Sequence, residues 1–160
     1  MKPILYLRGD ATTPHGEGNK MIAHVCNDIG KWGAGFVVAL SKRSRRPEQV
    51  FRQWYAERQS NDYGLGAVQF VQVGPELWVA NMIGQHTIRI KGEDGLPPVR
   101  YEAIEQALGK VAEEALAMEA SVHMPRIGCG LAGGKWELIE PLILKQLCER
   151  DVQVTVYDWD

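Results

Sequence analysis

Cysteine is scarce: the 160-residue chain has three, an odd number without a paired short spacing. That excludes a disulfide scaffold and agrees with a reducing compartment, so a cytoplasmic location is expected. Charge of one sign is lacking too. Eighteen Lys and Arg stand against 20 Asp and Glu, a net charge of −2. A compact nucleic-acid-binding protein usually carries a basic excess, and this chain has none. No run approaches the roughly 18 apolar residues of a membrane-spanning helix. The opening residues lack the apolar core and cleavage site of a signal peptide. Neither a low-complexity tract nor a 20–50-residue repeat is present. The three cysteines and four histidines show no metal-ligand spacing, so neither a metal nor a cofactor is expected. What is present is ordinary: 45% hydrophobic and 24% charged residues, enough for one globular domain over 1–160.

Strand-like segments lie at 4–7, 21–26, 122–124 and 152–157. Residues 67–73 and 77–83 are rich in Val, Phe and Trp around Gly74-Pro75-Glu76, which predicts a hairpin. Helices are expected over 34–42 and 47–57, the latter with Val50, Phe51, Trp54 and Tyr55 on one face. Tyr101, Ile104, Leu108, Val111, Ala112 and Ala115 recur at helical spacing. A last helix over 136–147 contains Pro141, which must kink it or delay its start. Residues 84–98 are polar and rich in Gly and Pro, hence a loop. The alternation of strand and helix predicts an α/β fold with parallel crossovers and helices on both sheet faces. Such sheets bind ligands at the carboxyl ends of their strands.

Two glycine-rich loops occupy equivalent places there. Residues 27–36 and 128–134 each follow a strand and open a helix. Glycine permits positive φ and close approach to a ligand, and successive N–H groups at a helix start cradle anions. Two cradles on one sheet edge suit a diphosphate. Neither loop ends in the Gly-Lys-Ser/Thr of a phosphate loop, and neither matches the dinucleotide fingerprint.

Gly9-Asp10-Ala11-Thr12 resembles the Gly-Asp-aliphatic-Thr signature of macrodomains. The first glycine loop resembles their Asn-containing phosphate and ribose loop. Met124-Pro125-Arg126-Ile127-Gly128-Cys129-Gly130-Leu131, followed by Trp136-Glu137, is similar to the second loop of one branch. That branch comprises terminal ADP-ribose protein glycohydrolases and ADP-ribose-1''-phosphate phosphatases. Val154-Thr155-Val156-Tyr157 resembles its last strand. The resemblance implies a three-layer α/β/α macrodomain with a central mixed, largely parallel sheet of about six strands. It implies ADP-ribose or an ADP-ribosylated substrate as partner. Asp10 would accept the adenine amino group, with Ala11 adding backbone contact. Gly33, Ala34, Gly35 and Phe36, with Ile127, Gly128, Cys129, Gly130, Leu131 and Ala132, would hold the two phosphates. Cys26, Asn27 and Asp28 would approach the distal ribose. The branch's catalytic lysine would fall near Gly84-Gln85, where none stands, and Lys91 lies several residues further on. Its second-loop aspartate is replaced by Ala132. The lysine–aspartate mechanism is therefore not carried over.

Asp28, Gln85 and His86 are the candidate catalytic residues. Asp28 can orient or deprotonate a water, and imidazole is the general acid or base for neutral pH. Turn and loop residues of the same types need no catalytic role. Cys129 between two glycines fits a tight loop as a small residue, although a thiol near a helix start can also be reactive. Lys42, Arg43, Arg45 and Arg46 complement a helix dipole, or contact nucleic acid or an acidic partner. The expected function is ADP-ribose binding with hydrolysis of an ADP-ribose derivative. That means de-ADP-ribosylation of a macromolecule or dephosphorylation of ADP-ribose 1''-phosphate. The alternative is a non-catalytic ADP-ribose reader. Nucleic acid enters only as a modified substrate, no membrane is expected, and the chain is expected to act as a monomer.

Overall fold

In this computed structural model residues 1–88 and 96–159 are described. Lys91 lies outside them. Alternating apolar residues in β2 (Lys20–Asn27) send Met21 and Ala23 to one sheet face and Ile22 and Cys26 to the other. The flanking strands are β1 (Ile4–Arg8), β3 (Val68–Gly74), β4 (Leu77–Gln85), β5 (Ser121–Met124) and β6 (Val154–Asp158). They form one six-stranded sheet in the order β1-β6-β5-β2-β4-β3. Every pair is parallel except the β3–β4 hairpin.

Helices α1 (Phe36–Arg43) and α2 (Arg46–Ala56) cover β2 to β4 on one face. Their core includes Trp32, Leu40, Phe51 and Trp54. On the opposite face lie α3 (Tyr101–Ala117) and α4 (Trp136–Gln146). In α3 the buried residues recur at three- and four-residue spacing, from Ala103 to Ala115. The result is the expected three-layer α/β/α arrangement with a mixed sheet.

Several boundaries differ from the sequence expectation. α1 starts at Phe36, two residues late, because Gly35 at φ 80° and ψ −142° is not helical. β4 runs on to Gln85, so Gly84 belongs to a strand and not to the loop. Gln85 pairs with Asn27 of β2 and bridges to Val99, which extends the ladder. Pro141 sits inside a continuous α4, on its exposed side, where the missing N–H is best tolerated. β6 begins at Val154 instead of 152, after Asp151 turns the chain in a left-handed conformation.

Among the described residues, no helix is long and apolar enough to cross a membrane. Nor do three or more His, Cys, Asp or Glu cluster there to hold a metal ion.

Candidate functional site

The carboxyl ends of the parallel strands point toward one edge. A groove of about 650 Å³ opens there between α1 and the chain leaving β1. Its walls include Asp10, Phe36, Lys42, Arg43, Tyr157 and Trp159.

Asp10 stands two residues past β1. Its Oδ1 accepts the Thr12 N–H at 2.8 Å and the Thr12 hydroxyl at 2.7 Å. Its Oδ2 has no hydrogen-bond donor among the described residues. The carboxylate is thus held by one oxygen and offers the other to the groove region. Ala11 and Thr12 are buried beneath it. On the far wall the Tyr157 hydroxyl accepts the His15 N–H at 2.9 Å and pairs with His123 Nδ1 at 2.7 Å, which fixes the ring.

The first glycine loop has two halves. Asn27 shapes the first: its Oδ1 accepts the Ile29 and Lys31 N–H groups, and its Nδ2 donates to the Lys31 carbonyl. The Tyr63 hydroxyl donates to the Asn27 carbonyl at 2.7 Å and accepts the Gly30 N–H at 3.0 Å. Trp32 then anchors the loop in the core. The second half, Gly33, Ala34 and Gly35, is exposed. The N–H groups from Gly33 to Phe36 meet no acceptor among the described residues. They are the orphan donors of a helix start, available to an anion.

The second loop folds on itself. Gly134 N–H donates to the Gly128 carbonyl at 2.7 Å, and Gly133 N–H to the Gly130 carbonyl at 3.1 Å. Gly128 at φ 72° and Gly133 at φ 76° provide the reversals. Ile127 and Ala132 are buried anchors, whereas Gly130 and Leu131 are exposed. The N–H groups of Gly130, Leu131 and Ala132 have no acceptor among the described residues. A Cβ at Gly35 would lie 3.7 Å from Leu131 Cδ1, so the two loops are near van der Waals neighbours.

Next to these loops, the ends of β2 and β4 bring Asp28, Gln85 and His86 together. His86 Nδ1 lies 2.7 Å from Asp28 Oδ2, and Thr87 N–H donates to Asp28 Oδ1 at 2.7 Å. Asp28 N–H donates to the Gln85 carbonyl at 3.0 Å. Both carboxylate oxygens are occupied, so Asp28 positions the imidazole. An ionised carboxylate only accepts, which puts the proton on Nδ1 and leaves Nε2 with a lone pair in the neutral ring. His86 is 54% exposed at its side chain, accessible to a substrate. Gln85 Nε2 is committed to the Thr87 carbonyl. Thr87 itself holds φ 56°, unusual for a β-branched residue, and this conformation presents its N–H to Asp28. His86 N–H donates to the Pro98 carbonyl, and Val99 N–H to that of Ala132. These bonds tie the dyad segment to the second loop.

Two thiols are turned away from such chemistry. Cys26 is buried with its Sγ against the His24 ring, and burial pushes its thiol well up. Burial also raises the Cys129 thiol, opposed by Arg126 nearby. A thiol in that state is a poor nucleophile. The sequence reading assigned no role to Thr12 or Thr87. The Gly-Asp-Ala-Thr motif itself held the signal for Thr12. Nothing local marks Thr87, whose role depends on β2 and β4 lying side by side.

No family model matches the chain. A macrodomain protein from Streptomyces coelicolor has 60% identical residues, with a TM-score of 0.86 over 98% of this chain and 99% of that one. The chain belongs to the macrodomain family. This macrodomain is also 32% identical, over 96% of its length, to the mouse chromodomain-helicase-DNA-binding protein 1-like. It spans only 17% of that relative. An ADP-ribose 1''-phosphate phosphatase of Candida albicans is 26% identical over 84% of this macrodomain and 87% of that protein.

Proposed function

We propose that this macrodomain, acting as a single-domain monomer, binds ADP-ribose and hydrolyses an ADP-ribose derivative at its 1'' position. The adenine amino group donates to Asp10 Oδ2. The orphan N–H groups of the two glycine loops take the diphosphate, through Gly33 to Phe36 on one side and Gly130 to Ala132 on the other, with Ile127, Gly128 and Cys129 shaping the second loop. The Candida albicans relative, named for ADP-ribose 1''-phosphate, supports that ligand class.

The Asp28–His86 pair carries the catalytic part of the reading. It stands where the strands β2 and β4 end, tied to the second loop, with Nε2 unengaged among the described residues. Neutral His86 accepts a proton from water through Nε2. The water oxygen bonds to the electrophilic atom at the 1'' substituent. The bond to the departing group breaks with its electron pair, and that group takes the proton from the imidazolium, which returns His86 to its neutral form. Asp28 keeps the imidazole oriented and stabilises the imidazolium. Cys26 and the Asn27 amide support the first loop from within, and Gln85 orders Thr87.

The test is turnover of ADP-ribose 1''-phosphate by wild type and His86→Ala. Loss of about 10²–10⁴-fold in rate with unchanged ADP-ribose affinity is expected for removal of a general base. ADP-ribose binding with no turnover, on this substrate or on an ADP-ribosylated macromolecule, would make the protein a reader. Ala132 in place of an acidic residue favours that second reading.

A further inference from the structure

Lys42 and Arg43 end α1 on the wall of the same groove as Asp10. Neither makes an ion pair or hydrogen bond with a described residue. A basic last turn complements the helix dipole, which explains the residue type. It does not explain why both residues line one cavity with no counter-ion. The other ionisable groups on that wall are Asp10 and Tyr157. Asp10 is held by Thr12 rather than by either cation. On one side Lys42 also borders a cleft with Arg45 and Glu48, where Glu48 is paired with Arg52 at 3.1 Å. On the other side Arg43 borders a cleft with Lys20 and Glu76. The cations therefore form a positive band across the lower end of the groove.

The orphan loop amides sit at the opposite end of α1. A rise of 1.5 Å per residue places the two ends of this helix roughly 10 Å apart. A diphosphate on the loop amides is seated at the first turn of α1, whereas the cations belong to its last turn, so they are matched to a second anion. A nucleoside that leaves the loops and offers its base to Asp10 lies between the two ends. We infer that Lys42 and Arg43 form a subsite for a phosphomonoester on the adenosine ribose of the ligand. The guanidinium fork and the ammonium suit the doubly charged terminal phosphate. This subsite rests on the ADP-ribose reading above.

Calorimetric titration tests it with ADP-ribose and with its adenosine 2'-phosphate and 3'-phosphate forms, at low and high salt. In wild type one phosphorylated ligand binds about tenfold more tightly than ADP-ribose at low salt, as a charge-assisted contact predicts. The gain shrinks at high salt and disappears in the Lys42→Ala/Arg43→Ala variant, which keeps its affinity for ADP-ribose. Binding of ADP-ribose with no gain for either phosphorylated form overturns the subsite alone. So does displacement of the phosphorylated ligand by an unmodified oligonucleotide at similar concentration, which would make the band a general polyanion surface. Absence of ADP-ribose binding overturns the ligand reading and the subsite with it.

Discussion

Asp10 shows how one residue is prepared for one contact. Thr12 donates twice to Oδ1, so the carboxylate is oriented before any ligand arrives. Removing Asp10 should cost one charge-assisted hydrogen bond, about 10- to 100-fold in ADP-ribose affinity for Asp10→Ala. The variant should stay folded but melt a few degrees lower, because it also loses Oδ1, the acceptor of both bonds from buried Thr12. Thr12→Val keeps the carboxylate and its bond from the backbone N–H but loses the hydroxyl bond, so a smaller affinity loss is expected by the same titration. At the other end of the site, Asp28→Asn tests whether the carboxylate supports His86. An amide can still occupy the position but stabilises no imidazolium. Turnover should fall while ADP-ribose affinity holds; a rate equal to wild type would remove Asp28 from the mechanism. Asp10, Asp28 and His86 were all legible in the sequence because each follows a strand end. Their partners were less so. The bond from Thr87 to Asp28 spans 59 positions, and only the pairing of β2 with β4 creates it.

At the scale of elements, the second loop depends on a close crossing of its own backbone. A Cβ at Gly134 would collide with the Gly128 carbonyl that its N–H already binds. Gly128 holds φ 72°, and a Cβ there would stand 3.0 Å from Ile139 and 3.2 Å from Ile104. Gly128→Ala should therefore destabilise by about 1–3 kcal/mol, read by urea denaturation, and loosen the anion cradle. An unchanged midpoint would show that the loop has room the structure does not have. The periodic elements were legible because their apolar spacing matches what they bury, as in α3. The ends were not. α1 begins only where Gly35 stops departing from helical geometry, and β4 gains its last residues from Asn27 and Val99. Both depend on tertiary neighbours that local spacing does not encode. Lys42 and Arg43 were visible as a basic run, but their place on the groove wall follows from how α1 lies across the sheet.

For the molecule as a whole, two buried histidines make stability depend on pH. Burial lowers His24 to about 4 despite its hydrogen bond to Asn81. Burial also lowers His123 to about 4, with Lys20 and His15 adding repulsion. In the unfolded chain each returns to its ordinary value of 6.5. Between these values the unfolded state binds more protons than the folded one. Their contribution is therefore complete above pH 6.5 and is lost as pH falls toward about 4. Urea unfolding at pH 7.5 and pH 5 should show a drop of roughly 1–4 kcal/mol from this source. Equal stability at both would mean that neither imidazole is held neutral. The same sheet that buries these rings carries every group of the proposed site on one edge, and ADP-ribose binding is the claim on which the rest depends. The most direct measurement is a calorimetric titration of ADP-ribose into wild type and Asp10→Ala. One-site binding by wild type, weakened at least about tenfold in the variant, is the expected result. No heat of binding, or equal affinity for both proteins, would contradict it.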